Sequence, residues 1–354
     1  LAGLHASRSA SGTKNATTAT TTELNRQLTT DWYPVTFNLV YELPQFVAYF
    51  QRKQQEIEAQ ENVEDNGGHI DSSDQKRCSD QNCPRCTFYR VREEPSELRK
   101  ALNAAQRHNI WILKPWNTGR GFGITISNNL DQIIRLCDTN PLIASRYVTD
   151  PVLFYRDDLN ASVKFDVRYV ILLRSVHPLK LFVSNVFWLR FANQSFDLND
   201  FDNYGRHFTV MNYREDQELK HINCDEFIQM FEQQYPSVAW SSIQADIFRL
   251  LVDIFTTACT HPAPKGITAS PQSRALYAID LMLEWSSDGS GEGDANIGLK
   301  GLPATHRISP VVFEINYSPD CRRACKYYPE FFNHVFGCLF LDDPPEKCNM
   351  TQLV

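Results

Sequence analysis

Apolar and polar positions change period several times along the chain, and each change predicts an element. "VKFDVRYVILLRSV" (163–176) alternates strictly: Val163, Phe165, Val167, Tyr169 and Ile171 fall on one face, Lys164, Asp166 and Arg168 on the other. That predicts a long strand with one buried side. "LKLFVSNVFWLRF" (179–191) predicts its partner, joined by a hairpin through His177-Pro178. Further strands are predicted at "IWILKP" (110–115), "GFGITIS" (121–127), "ALYAIDLMLEW" (275–285) and "VVFEINYSP" (311–319). Helical spacing predicts "SELRKALNAAQRHN" (96–109, capped near Ser96), "LDQIIRLC" (130–137), "CDEFIQMFEQQY" (224–235), "SSIQADIFRLLVDIFTTAC" (241–259) and "YYPEFFNHVFGCLFL" (327–341). The order implies an α+β fold of mostly antiparallel sheets flanked by helices.

Between these elements the pattern lapses. Residues 1–30 are rich in Thr, Ser and Ala and predict a disordered segment. Residues 31–52 are aromatic and apolar and begin the folded domain. Residues 53–96 read as a flexible polar insertion, after which 97–354 complete the domain. "SSDGSGEGDANIGLKG" (286–301) reads as an irregular loop, and there is no internal repeat.

With 354 residues, 42% hydrophobic and 22% charged, the chain can build a sizeable core. It has no apolar run near the length of a membrane span, and its start has no apolar stretch of the signal-peptide kind. Cys137, Cys224, Cys259 and Cys338 sit inside apolar, helix-like stretches, as free thiols do, which predicts an intracellular protein. A net charge of -7 argues against nucleic-acid binding by the chain as a whole. Between Arg146 and Arg190, however, seven Arg/Lys against four Asp leave +3. That excess is either a set of solvated sheet edges or a docking surface for an acidic partner.

The polar residues that interrupt apolar runs are the candidates for chemistry. Asp280 lies inside "YAIDLM", and Glu314 and Asn316 share a face of "VVFEINY". A buried carboxylate must be ion-paired or metal-bound. Both readings stand: salt bridges to a neighbouring strand, or a hard cation such as Mg²⁺, which prefers oxygen donors. "KPWNTGRGFGI" (114–124) carries Gly119, Gly121 and Gly123 between two strands, with Lys114 at the strand end. It is either a cradle for phosphate oxygens or a plain hairpin turn, and it matches neither the P-loop nor the dinucleotide fingerprint. Lys164, Asp166 and Arg168 form either a surface ladder or one wall of a cleft. The wholly apolar opposite face favours the cleft. Cys78, Cys83 and Cys86, with His69 distant, make a poor zinc pattern and read as part of the polar loop.

Taken in order, "WILKPWNTGRGFGI", "KFDVRY", "YAIDLM" and "FEINYSPD" resemble the ATP-grasp fold and, within it, the tubulin tyrosine ligase-like family. The resemblance covers about residues 32–354 apart from the insertion. "VFWLRFANQSF", "HFTVMNY", "FEQQYP" and "LFLD" are similar to one branch of that family. The resemblance implies a nucleotide site between two lobes, with ATP and Mg²⁺ as cofactors. It implies Lys114 and Lys164 on the phosphates, and Ser145, Arg146, Tyr147 and Val148 as a hinge meeting adenine through its backbone. Gly119, Gly121 and Gly123 would cover the nucleotide, and Asp166 would help position it. Asp280, Glu314 and Asn316 would hold Mg²⁺, while Arg168 and Arg190, with Glu314, would serve the acceptor and acyl-phosphate region.

The implied reaction is ATP-dependent ligation of an amino acid to the acidic C-terminal tail of tubulin. A carboxylate attacks the γ-phosphate, an acyl-phosphate forms, and an amine displaces phosphate. The expected protein is a cytoplasmic monomer without membrane or nucleic-acid partners, with microtubules, centrosomes and the nucleus as further expected locations. The alternative is a member that binds ATP and tubulin without turnover and regulates tubulin modification, microtubules and mitosis as an interaction protein. Two positions depart from the family pattern. Ser145-Arg146-Tyr147 stands where Gln-Lys-Tyr is usual, removing an amide contact to adenine of about 1–2 kcal/mol. Val210 in "HFTVMN" stands where an Asn is expected, with Asn212 two residues on.

Overall fold

The computed structural model describes residues 32–66, 84–85, 109–119, 121–209, 220–272, 274–287 and 306–354. A smaller sheet is built from β1 (Thr36–Asn38), β2 (Trp111–Pro115), β3 (Thr125–Ser127) and β4 (Leu142–Arg146), in the order β1-β4-β2-β3 and antiparallel throughout. Two helices cover it, α1 (Leu43–Asn66) and α2 (Leu130–Cys137). Trp111 anchors this core against the edge of Phe46, ring centroids 4.9 Å apart. Its indole N–H donates to Asn109 Oδ1 at 2.8 Å, so burying it leaves no polar atom unsatisfied. α2 starts where the sequence places it because the Asn129 side chain accepts the Gln132 N–H, and Asp131 and Arg135 complement its dipole.

The larger sheet contains β7 (Phe165–Ser175), β8 (Lys180–Ser184), β9 (Trp188–Phe191), β10 (Ala275–Ser287), β11 (His306–Tyr317) and β12 (Met350–Gln352). Its order is β11-β10-β7-β8-β12, with β9 also paired to β7. A separate two-stranded ribbon joins β5 (Phe154–Arg156) to β6 (Ala161–Val163). The apolar face of β7 does what its alternation predicts: Phe165, Val167, Tyr169 and Ile171 are fully buried. They pack in one core with Phe227 and Phe231 of α4 (Cys224–Gln234) and with Trp240, Ile247 and Leu251 of α5 (Trp240–Thr260). The opposite face is divided. At one end Val170, Leu172 and Phe182 are covered by α6 (Arg322–Tyr327) and α7 (Phe331–Phe340). At the other end the covering helices stop, and polar side chains face the smaller sheet.

The chain passes between the sheets at 147–152. Tyr147 N–H bonds Ile110 on the small-sheet side, and Val152 N–H bonds Leu283 of β10. α3 (Tyr204–His207) lies close to this crossing.

Several boundaries differ from the sequence reading. Residues 53–66 continue α1 as helix, where a flexible insertion was expected, because Gln, Glu and Lys favour helix without needing burial. The expected partner strand 179–191 is two strands, β8 and β9, separated at Asn185–Phe187. The closing helix begins at Phe331, after Pro329 separates it from α6. The expected helix at 96–109, apart from Asn109, the segment 1–30 and the Cys78/Cys83/Cys86 pattern lie outside the described residues. All described cysteines are free thiols, and no described helix is long and apolar enough to cross a membrane.

Candidate active site

Strand register brings the candidate residues together. β7 pairs with β10 so that Arg168 lies opposite Asp280, and β10 pairs with β11 so that Asp280 lies opposite Glu314. β9 pairs with β7 so that Arg190 lies opposite Asp166. Ala278 lies opposite Asn316, so Asp280, Glu314 and Asn316 occupy one face of two adjacent strands. A register shift after Asp280 inserts one extra residue, Phe313, into β11. The bulge lets Glu314 and Val311 share the site face, although strict alternation would place them on opposite sides.

Two arginines and two aspartates form a closed lattice behind this face. Arg168 holds both oxygens of Asp280, at 2.6 Å each. Arg190 bridges Asp166 Oδ1 at 2.7 Å and Asp280 Oδ2 at 3.0 Å. Thr209 donates to the other Asp166 oxygen. Burial alone would raise the Asp280 carboxyl, but Arg190 and Arg168 outweigh it and hold the group below the ordinary carboxylate range. For Asp166 burial prevails over Arg190, and nearby Asp280 adds to the upward push. The positive excess between Arg146 and Arg190 is therefore largely internal. Arg156 and Lys164 are buried, and Arg168 and Arg190 face aspartates. Arg168 and Arg190 reach an acceptor only by exchanging these partners.

The two lysines approach from opposite sheets. Lys114, on β2, stands 5.4 Å over the Phe313 ring. Burial lowers its pKa, opposed by the charges of Glu314 and Asp280 across the cleft. Lys164, between β6 and β7, is 2% exposed. Burial pushes its pKa down to about 7, opposed by Asp166 and Glu284, and the Lys114 cation adds to the fall. Lys164 Nζ donates to the Tyr147 phenol oxygen at 2.7 Å and lies 4.2 Å from that ring's centroid. Two cations within reach of each other, one of them buried, form a site electrostatically suited to an anion.

The hinge contributes in an unexpected way. The Arg146 and Tyr147 N–H groups already bond Val35 and Ile110. The Ser145 hydroxyl accepts from Thr36 Oγ1 at 3.0 Å inside the small sheet, so it does not substitute for an amide pointing into the cleft. Val148 instead supplies an apolar side chain. With Met282, Val311 and the bulge residue Phe313 it forms a small cluster separate from the three larger cores.

The glycine loop connects β2 to β3 as expected. Gly121 and Gly123 have φ of 77° and 74°, which only glycine adopts without strain. Gly119 has open space around an added Cβ, so its glycine is not sterically required. The Thr118 hydroxyl donates to the Phe122 carbonyl at 3.0 Å, tying the turn together with Phe122 61% exposed at its tip.

The donor set fits a hard cation. Glu314 supplies a carboxylate oxygen and Asn316 an amide oxygen on one face beside Lys114, while both Asp280 oxygens are held by Arg168 and Arg190, so Asp280 joins a cation only by exchanging these partners. Asn316 Nδ2 donates to Glu314 Oε1 at 2.9 Å, which fixes the two side chains as a pair. Among the described residues no group of three or more His, Cys, Asp or Glu could hold a metal, so a cation here depends on the amide and on non-protein oxygens.

Sequence reasoning missed Glu284, Phe313, Thr209 and His207. Glu284 was legible, because it continues the Asp280–Met282 alternation on β10. Phe313 was not, because its position depends on the bulge. Thr209 and His207 meet β7 and the hinge only through tertiary packing.

A small sheet bearing a glycine turn faces a larger antiparallel sheet across a strip of lysines and carboxylates; this is an ATP-grasp-like fold. The chain belongs to the Tubulin-tyrosine ligase family, whose pattern matches residues 5–352. It is 42% identical over 91% of its length to Tubulin--tyrosine ligase-like protein 12 of Homo sapiens, and covers 40% of that protein. It is 35% identical over 88% of its length to the protein of the same name from Caenorhabditis elegans, covering 37% of it. Over 66% of its length it is 25% identical to Tubulin glycylase 3E of Tetrahymena thermophila, covering 15% of that protein. The chain thus spans about two fifths of the length of the first two relatives.

Proposed function

We propose that this chain binds ATP with Mg²⁺ in the cleft and ligates an amino acid to the acidic tail of tubulin. The observation that carries the reading is the convergence of two lysines on one cleft: Lys114 faces Glu314 and Asp280, and Lys164 faces Asp166, Glu284 and Lys114 itself. Lys114 and Lys164 bind the phosphates. Val148, Met282, Val311 and Phe313 offer an apolar floor to the base, and the Gly121–Gly123 turn covers the phosphates. Glu314 and Asn316, joined by Asp280 once Arg168 turns away from it, would hold Mg²⁺, which supplies charge neutralisation at the phosphates when bound. Arg168, with its side chain 23% exposed, is the cation with room to turn from Asp280 to the acceptor carboxylate. Arg190 keeps Asp166 and Asp280 apart in charge and so holds the wall of the cleft in place.

The test offers the chain ATP, Mg²⁺, a tubulin-tail peptide and tyrosine, glutamate or glycine in turn, with mass spectrometry as readout. One amino acid should add to the peptide, only with ATP, and not with Glu314→Ala. A second reading has one observation in its favour: Ser145 is turned into the sheet and leaves the hinge without the usual amide. On that reading the chain binds ATP and tubulin as a regulator of tubulin modification in the cytoplasm. ATP binding without ligation of any amino acid would favour it.

A further inference from the structure

A buried chain of hydrogen bonds runs from Lys164 to a residue that the proposed reaction does not use. Lys164 Nζ donates to the Tyr147 oxygen at 2.7 Å, and the Tyr147 hydroxyl meets His207 Nδ1 at 2.8 Å. His207 Nε2 meets the Asp200 carbonyl oxygen at 2.7 Å. A carbonyl only accepts, so Nε2 carries the ring proton. In the neutral ring Nδ1 is then an acceptor, the phenol donates to it, and the phenol oxygen is left to accept from the lysine. Every donor and acceptor in the series has one consistent role. The aromatic walls are fixed too: Phe196 lies 5.4 Å from Lys164 Nζ and packs edge-on against His207.

We propose that His207, acting through Tyr147, is a positioning residue that holds the Lys164 ammonium in place for the nucleotide phosphates. This rests on the phosphate role proposed for Lys164. His207 also ties the hinge to the segment that carries Thr209, whose hydroxyl holds Asp166. The nucleotide side and the acceptor side of the cleft are therefore joined through one ring.

The arrangement requires a neutral His207. Protonation would turn Nδ1 into a donor and place a second cation beside Lys164. The groups facing this pair are Asp166 of β7, Glu284 of β10 and Lys114 of β2 around the lysine, and Asp200 and Arg206 around the imidazole. Burial lowers the His207 pKa below its ordinary value, the Asp200 bond opposes this, and Lys164 adds to the fall. The neutral ring thus prevails at neutral pH, and the ring's own part in positioning is lost in acid.

The experiment measures ATP·Mg²⁺ affinity by calorimetry from about pH 5 to 8.5, for wild type, Tyr147→Phe, His207→Leu and His207→Asn, each checked for folding by denaturant titration. Tyr147→Phe and His207→Leu should each weaken ATP about tenfold near pH 7. The double variant should be no weaker than either alone, because both act through Lys164. His207→Asn, whose Oδ1 can stand in for Nδ1, should restore most of the affinity and abolish the fall in acid. Wild-type affinity in His207→Leu, or an acid limb retained by His207→Asn, overturns the proposal. A second readout needs no nucleotide: the His207 ring titration followed by NMR. It should move up in Lys164→Met, because a neighbouring cation is gone. That shift without ATP binding would sink the phosphate role and leave the coupling intact; no shift would sink the coupling itself.

Discussion

Lys164→Met should make the protein more stable while destroying its nucleotide site. The lysine is 2% exposed, and burial carries its pKa from 10.5 to about 7. In the unfolded chain the amine stays protonated up to its ordinary value. Between about pH 7 and 10.5 the unfolded state therefore binds more protons, and stability rises with pH through that window. Below about pH 7 the full penalty is present. At roughly 1.4 kcal/mol per pH unit, it amounts to about 5 kcal/mol. Methionine has similar length, fills the same space and carries no charge. Allowing for the lost bond to Tyr147, Lys164→Met should gain about 3–5 kcal/mol at pH 7 and only about 1 kcal/mol near pH 9.5. Urea titrations of both proteins at the two pH values measure this, and ATP calorimetry on the same samples should show binding lost. A variant less stable than wild type at pH 7, or a stability difference that does not change with pH, would refute the reasoning.

Arg190→Leu leaves Asp166 and Asp280 buried beside each other without their shared cation, and should cost about 3–5 kcal/mol in denaturant titration. The loss should shrink as pH falls and the carboxylates protonate; a cost below about 1 kcal/mol would mean that the lattice is not structural. Gly121→Ala and Gly123→Ala should each destabilise by about 1–2 kcal/mol because both residues have positive φ, while Gly119→Ala should be neutral. Equal effects at all three positions would contradict the loop geometry. Phe313→Ala should weaken ATP several-fold and leave inorganic triphosphate unaffected, since the ring belongs to the apolar cluster offered to the base. Equal weakening of both ligands would place the ring elsewhere in the site.

What the sequence discloses and what it hides divide along physical lines. The alternation of β7 is local, so its buried face was legible, and so was the pairing of Glu314 with Asn316 on one side of β11. The glycine turn was legible because Gly121 and Gly123 have few other uses between two strands. The ion lattice was half legible. Periodicity put Lys164, Asp166 and Arg168 on one face, but only register set Arg168 against Asp280 and Arg190 between two aspartates. The bulge at Phe313 leaves no local mark, since an apolar residue in an apolar strand fits either face. The Lys164–Tyr147–His207 series joins three parts of the chain that no spacing connects. The later part of α1, from residue 53, was misjudged because the apolar stripe of Leu43, Phe46, Val47 and Phe50 gives way there to mostly polar residues, which resemble a loop in composition.

Calorimetry of wild type beside Glu314→Ala shows whether the cleft is a built ATP·Mg²⁺ site. Wild type should bind ATP below about 1 mM with a dependence on Mg²⁺, and Glu314→Ala should lose that dependence while remaining folded. Wild type that takes up no nucleotide at millimolar ATP would mean that the cleft is not a nucleotide site, whatever the chain does with tubulin.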